Sequence, residues 1–175
     1  MEQLTKTIFL IGFMGVGKTT ISQIMGNLSN AKVMDTDEWI VQKKKMSIPE
    51  IFEKYGEQYF RDLETLCLKK IAEDKPCIVS CGGGIILREE NRKIMHRTGS
   101  TVWLDASAQT IYERVKNGKN RPLLNNHMNI SDIEEMMEKR KSQYEAAMDY
   151  HFYTDEFSKE EVAKEVLQKV LQQDT

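Results

Sequence analysis

Short apolar runs rich in β-branched residues alternate along the chain with longer stretches in which apolar residues recur every three or four positions. The runs read TIFLI at 7–11, AKVMD at 31–35, CIVS at 77–80, TVWLD at 101–105 and HFYT at 151–154, each followed by a stretch of helical period. Strands alternating with helices give a parallel sheet covered on both faces. The pattern therefore predicts an α/β fold of three layers, with a central, mostly parallel five-stranded sheet flanked by helices. Helix starts are marked by Ser-x-x-Glu at Ser47 to Glu50, Ser131 to Glu134 and Ser158 to Glu161, where each side chain can bond the other residue's backbone N–H. Gly56 stands where the helix begun at Ser47 would end.

No repeat or low-complexity linker divides the 175 residues, so one domain over 1–175 is expected. The longest polar stretch, KNGKNRPLLNNHMN at 116–129, lies between a helix near Ala108 to Lys116 and one after Ser131. It is long for a passive connection and reads as a mobile lid. The 25 Lys and Arg residues nearly balance 27 Asp and Glu, a net charge of -2. No basic field exists to hold nucleic acid or an anionic membrane, so an anionic ligand must be gripped locally. The N-terminal apolar run meets glycines and Lys18 too early for a signal segment or a span. Cys67, Cys77 and Cys81 form no CxxC pair, which fits reduced core residues and a cytoplasmic protein.

Gly12 to Thr19 reads GFMGVGKT, a full G-x-x-x-x-G-K-[ST] match between a predicted strand and a predicted helix. Glycines at this spacing let backbone N–H groups curl round a phosphate, and the helix N-terminus adds partial positive charge there. Lys18 is then the cation for the β- and γ-phosphates, and Thr19 a hydroxyl for Mg²⁺. The motif makes the sheet that of a P-loop nucleotide-binding fold, with ATP and Mg²⁺ as the expected cofactors.

Two further clusters sit where an open α/β sheet binds ligands, beyond the carboxyl ends of its strands, and several arginines lie outside the strands. Asp35 and Asp37 follow the second strand; if the chain stays extended there, both point the same way. One would then serve a magnesium water and the other a substrate hydroxyl, or Asp37 merely caps the next helix. Gly82, Gly83 and Gly84 follow the third strand and allow either close ligand approach or a tight turn. Arg140 falls on the apolar stripe Ile133, Met136, Met137, Tyr144, Ala147 and Met148, where it meets an anion or snorkels at the rim. Arg61, with Glu64 one helical turn on, reads alone as a surface charge. Arg121 precedes Pro122 in the lid candidate, and Arg114 lies about two turns before it. A solvated loop arginine and one closing over transferring phosphate are both consistent with that position.

In this order the segments resemble the shikimate kinase family from the first strand to about Tyr150. GFMGVGKTT is similar to its P-loop and DTD to its second-strand motif. MSIPEIFEKYGEQYFRDLE resembles its substrate-binding helices, here about 37–72. CGGG resembles its glycine loop, RPLL its lid and KRKSQYEAA its last substrate helix. The resemblance implies ATP-dependent phosphorylation of the 3-hydroxyl of shikimate by a monomer. It places the nucleotide on Gly12, Gly15, Val16, Gly17, Lys18, Thr19 and Thr20, with Arg114 against adenine. Mg²⁺ would be organised by Thr19 and Asp35, and Lys18 and Arg121 would face the transferring phosphoryl group. The shikimate carboxylate would lie on Arg61 and Arg140, and its hydroxyls on Asp37 and the backbone of Gly82, Gly83 and Gly84. Asp37 would also accept the proton. Two departures are Cys81, where the family often has Thr, and Met46, where it often has Gly. The rival readings are another small-molecule P-loop kinase, for gluconate or a nucleoside monophosphate, and a non-catalytic nucleotide switch. A switch needs no acceptor site.

Overall fold

The computed structural model describes residues 3–116 and 128–173. Five strands, β1 (Thr7–Ile11), β2 (Val33–Asp35), β3 (Ile78–Ser80), β4 (Gly99–Asp105) and β5 (Tyr150–Tyr153), form one sheet in the order β2-β3-β1-β4-β5. Every pairing is parallel, so the expected mostly parallel sheet is wholly so. Central β1 is buried along its whole length, and its side chains alternate between two cores. Ile8 and Leu10 pack under α1 (Lys18–Ser29), α6 (Ala108–Val115) and α8 (Lys159–Gln172). Phe9 and Ile11 pack under α4 (Glu57–Glu73), α5 (Glu89–Thr98) and α7 (Ile130–Ala147). These are the three layers that the apolar runs predict.

A third, smaller cluster of Ile40, Ile51, Phe60 and Leu63 joins α2 (Thr36–Lys44), α3 (Ile48–Tyr55) and α4 beside the sheet. Ser47 and Glu50 form the expected capping box at the start of α3, and Gly56 closes it at φ 84°, donating its N–H to Phe52. Ser158 and Glu161 cap α8 in the same way.

Two predicted helix starts need correction. The box at α7 is made by Asn129 and Asp132, not Ser131 and Glu134: Asn129 accepts from the Asp132 N–H at 2.9 Å, and Asp132 returns the bond at 3.1 Å. At α2 the cap is Asp35, whose Oδ1 accepts the Glu38 N–H at 3.0 Å. The chain is therefore extended only as far as Asp35, and Asp37 stands in the first helical turn instead of pointing alongside Asp35 from a strand. Cys67, Cys77 and Cys81 are buried free thiols, each with burial raising its pKa. Among the described residues no helix is long and apolar enough to cross a membrane.

Candidate active site

Adjacent strands β2, β3 and β1 end on one edge of the sheet, and the segments that follow them line a cleft of about 1110 Å³. After β1 the backbone turns through Gly15 and Gly17 at φ 84° and 99°, a region that L side chains rarely adopt. This turn delivers the N-terminus of α1 to the cleft. Lys18 folds back over the loop and donates from Nζ to the carbonyls of Gly12 (2.5 Å) and Phe13 (3.1 Å). From the end of α6, Arg114 Nη1 donates to the carbonyls of Gly15 (3.1 Å) and Val16 (3.2 Å). The loop is thus braced through its carbonyls from both sides, and the Val16 N–H closes it on the Phe13 carbonyl at 3.3 Å.

Thr19, the second residue of α1, lies with its hydroxyl 3.3 Å from Asp35 Oδ2 and 3.4 Å from Ser80 Oγ. Because the cap bond fixes Asp35 Oδ1, its other oxygen is turned toward Thr19. Thr20 lines the same end, and so does Lys159 at the start of α8, its Cε 3.3 Å from where a Gly17 side chain would begin.

The other end of the cleft is built from charge. Arg61 is 12% exposed, and its Nη1 meets Glu64 Oε1 at 2.6 Å while Nη2 meets Glu57 Oε1 at 3.2 Å. Burial disfavours its cation, but the two carboxylates outweigh burial and raise its pKa. Glu64 is fully buried, and that burial lifts its carboxyl to a pKa of about 7 against the pull of Arg61, with Asp37 pushing the same way as burial. Its Oε2 and the Arg61 Nε have no hydrogen-bond partner among the described residues.

The glycine loop passes between these groups at contact distance. A Cβ on Gly82 would lie 2.6 Å from Asp37 Oδ1 and 3.1 Å from Glu64 Oε2, and one on Gly84 would lie 2.4 Å from Arg61 Nη1. A side chain at either glycine would push Asp37 or Arg61 out of its place. The Gly82 N–H is already given to Thr36 Oγ1 at 2.8 Å, whereas the N–H groups of Gly83 and Gly84 have no acceptor among the described residues. Arg140 closes this end from α7, its guanidinium carbon 5.7 Å from the centre of the Phe13 ring, with no ion pair among the described residues.

Gly15, Gly17, Lys18, Thr19, Thr20, Asp35, Asp37, Arg61, Gly82, Gly83, Gly84, Arg114 and Arg140 all line this one cleft, whereas Gly12 and the buried Val16 do not. Arg121 and the lid at 116–129, Lys116, Met128 and Asn129 apart, lie outside the described residues. A family model described as shikimate kinase matches residues 14–171, nearly the whole span that forms the cleft. The chain belongs to the shikimate kinase family. It is an enzyme, a kinase with ATP as substrate. A shikimate kinase of Sulfurihydrogenibium sp. is 38% identical over 165 residues, covering 94% of this chain and 98% of its own. One from Thermodesulfovibrio yellowstonii is 39% identical over 164 residues, covering 94% of each. A solved shikimate kinase from Acinetobacter baumannii, in complex with shikimate, superposes with a TM-score of 0.90 at 31% identity, covering 96% of this chain and 94% of that one.

Several lining residues of this family member were silent in the sequence. Phe52, Phe60, Pro49 and Val41 also line the cleft, and their spacing signals only a helix core. Lys159 reads as a helix-start residue, and nothing local tells that α8 packs along α1 and brings it to the P-loop. Arg61 reads as exposed because an i, i+3 pair with Glu64 is the pattern of a solvated helix face. Its burial comes from the β3 glycine loop, distant in sequence.

Proposed function

We propose that the enzyme transfers the γ-phosphoryl group of ATP to the 3-hydroxyl of shikimate, giving shikimate 3-phosphate and ADP in aromatic amino-acid biosynthesis. The observation that carries the reading is the placing of Arg140, a cation without an acidic partner among the described residues, across the same cleft as Asp37 and the P-loop. A hydroxylated carboxylate fits this arrangement: its anion on Arg140 and Arg61, its hydroxyls on Asp37 and the N–H groups of Gly83 and Gly84, which have no acceptor among the described residues. Gluconate or a nucleoside monophosphate is the rival acceptor, and family membership favours shikimate.

ATP rests its phosphates on the N–H groups of residues 12–19, where the start of α1 adds positive charge. Lys18 leaves its carbonyl partners for the phosphate oxygens and stabilises the charge that spreads over them as the bond to the leaving group loosens. Asp37 lies at the acceptor end and takes the hydroxyl proton as the oxygen attacks. Arg121 of the lid is the second cation in this reading, and Arg114 lies toward adenine while bracing the P-loop.

Mg²⁺ fits the residues present. Thr19 Oγ1, Asp35 Oδ2 and Ser80 Oγ form an all-oxygen group at 3.3 to 3.4 Å spacing, and among the described residues no three His, Cys, Asp or Glu side chains converge as a protein-only metal cage. A magnesium ion bound mostly to nucleotide and water needs only such partial support. Thr19 and Asp35 would hold it, and when bound it would neutralise charge on the phosphates. One domain over 1–175, acting as a cytoplasmic monomer with a lid at 116–129 and substrate helices over 37–72, completes the proposal.

The test is a coupled assay of ADP release with Mg-ATP and, in separate reactions, shikimate, gluconate and AMP. Turnover with shikimate alone is expected. Turnover with gluconate or AMP and none with shikimate would overturn the proposal.

A further inference from the structure

Tyr144 stands one helical turn after Arg140 on α7 and is 2% exposed. Its hydroxyl donates to the Gly83 carbonyl at 3.0 Å. The Gly83 peptide in turn lies between two parts of the site: a Cβ there would sit 3.4 Å from Arg140 Nη1, 3.7 Å from the Gly12 carbonyl and 3.9 Å from the Met14 nitrogen. The ring beneath the hydroxyl is fixed by stacking on Trp103 of β4, centroids 5.3 Å apart and planes 12° apart, and Trp103 stacks on His151 at 4.0 Å. A phenol held this firmly cannot rotate away from the groups it touches.

We propose that Tyr144 is a positioning residue for acceptor binding, holding the Arg140 guanidinium and the Gly83 peptide in register with the P-loop. The inference rests on Arg140 being the carboxylate anchor. Its physical basis is the difference between the two arginines. Arg61 shares its charge with two carboxylates, which fix its direction and partly neutralise it. Arg140 is steadied instead by neutral groups, the Phe13 face and the Gly83 peptide that Tyr144 holds, so its direction is set while its charge stays available to the ligand. Burial lifts the Tyr144 pKa to about 12, against the opposing influence of the Arg140 guanidinium, so the phenol keeps its proton and donates it to Gly83 across the working pH range. Both anchor points of the acceptor, one side chain and one peptide, therefore depend on a single hydroxyl that need not touch the substrate.

Tyr144→Phe removes the hydroxyl and keeps the ring on Trp103. The shikimate KM is expected to rise about three- to tenfold, the worth of one neutral hydrogen bond, while the ATP KM hardly moves and the thermal midpoint falls by no more than about 4 °C. Arg140→Met, measured alone, tests the anchor: shikimate KM rises by about two orders of magnitude if it holds. In the double variant the effect of Tyr144→Phe on shikimate KM disappears, because the group it positions is gone. An unchanged shikimate KM in Tyr144→Phe beside a raised one in Arg140→Met overturns the positioning role and leaves the anchor standing. An unchanged KM in Arg140→Met removes the anchor and the inference with it. Additive effects in the double variant, or a shared rise of both KM values with a fallen thermal midpoint, make Tyr144 a packing residue only and overturn the inference.

Discussion

At Glu64 a carboxyl group is fully enclosed, one oxygen on Arg61 and the other without a donor among the described residues. Burial holds its folded pKa at about 7, above the ordinary 4.5 that the unfolded chain would show. Between those values the folded protein keeps a proton that the unfolded chain has released, so stability falls as pH rises. The Glu64 contribution is complete below 4.5 and lost as pH rises through about 7. The full swing is about 3 kcal/mol, from roughly 1.4 kcal/mol per pKa unit. The thermal midpoint should therefore drop by several degrees from about pH 5 to pH 8, and Glu64→Gln should flatten that profile. A variant profile parallel to wild type would show that other groups carry the slope.

Element boundaries reveal which local signals win when two compete. Asn129 and Ser131 both offer a side-chain oxygen near the start of α7, and a Ser-x-x-Glu spacing favours Ser131 on paper. The helix begins at Ile130 because Asn129 and Asp132 make the same reciprocal pair two residues earlier. Asn129→Ala should lower stability by about 1 kcal/mol, near 3 °C in thermal midpoint, while Ser131→Ala should be nearly neutral. The reverse ranking in a thermal melt would restore Ser131 as the cap. The strands, the P-loop and two of the three capping boxes were legible because each is written in adjacent residues. The depth of Arg61, the reach of Lys159 and the engagement of the Gly82 N–H by Thr36 were not, since each depends on an element far along the chain. Asp35 and Asp37 were legible as a pair, but their division into cap and first-turn residue was hidden by equal cap propensity.

Across the whole molecule the layer over β1 is completed by α8, whose Val162, Ala163, Val166, Leu167 and Val170 are buried in the shared core. At about 2 kcal/mol for each of the larger side chains, their burial is worth about 8 kcal/mol, comparable to the net stability of an ordinary domain. A chain ending at Phe157 should therefore lose its cooperative thermal transition in circular dichroism. A sharp transition near the wild-type midpoint would show that α8 is an accessory to the core.

The central position of β1 also orders events in time. Ile8 pairs with Ile78 on one side and with Ser100 on the other, so the strand that carries the P-loop finds its first neighbour only after a long stretch of further chain has been made. Closing such distant pairs is slow compared with forming a helix. During synthesis a segment that emerges long before its partners is thus among the last to gain its shape. A nascent chain halted before β3 would contain every residue of the phosphate-binding loop and would hold no nucleotide, leaving ATP unable to stabilise the half-made protein.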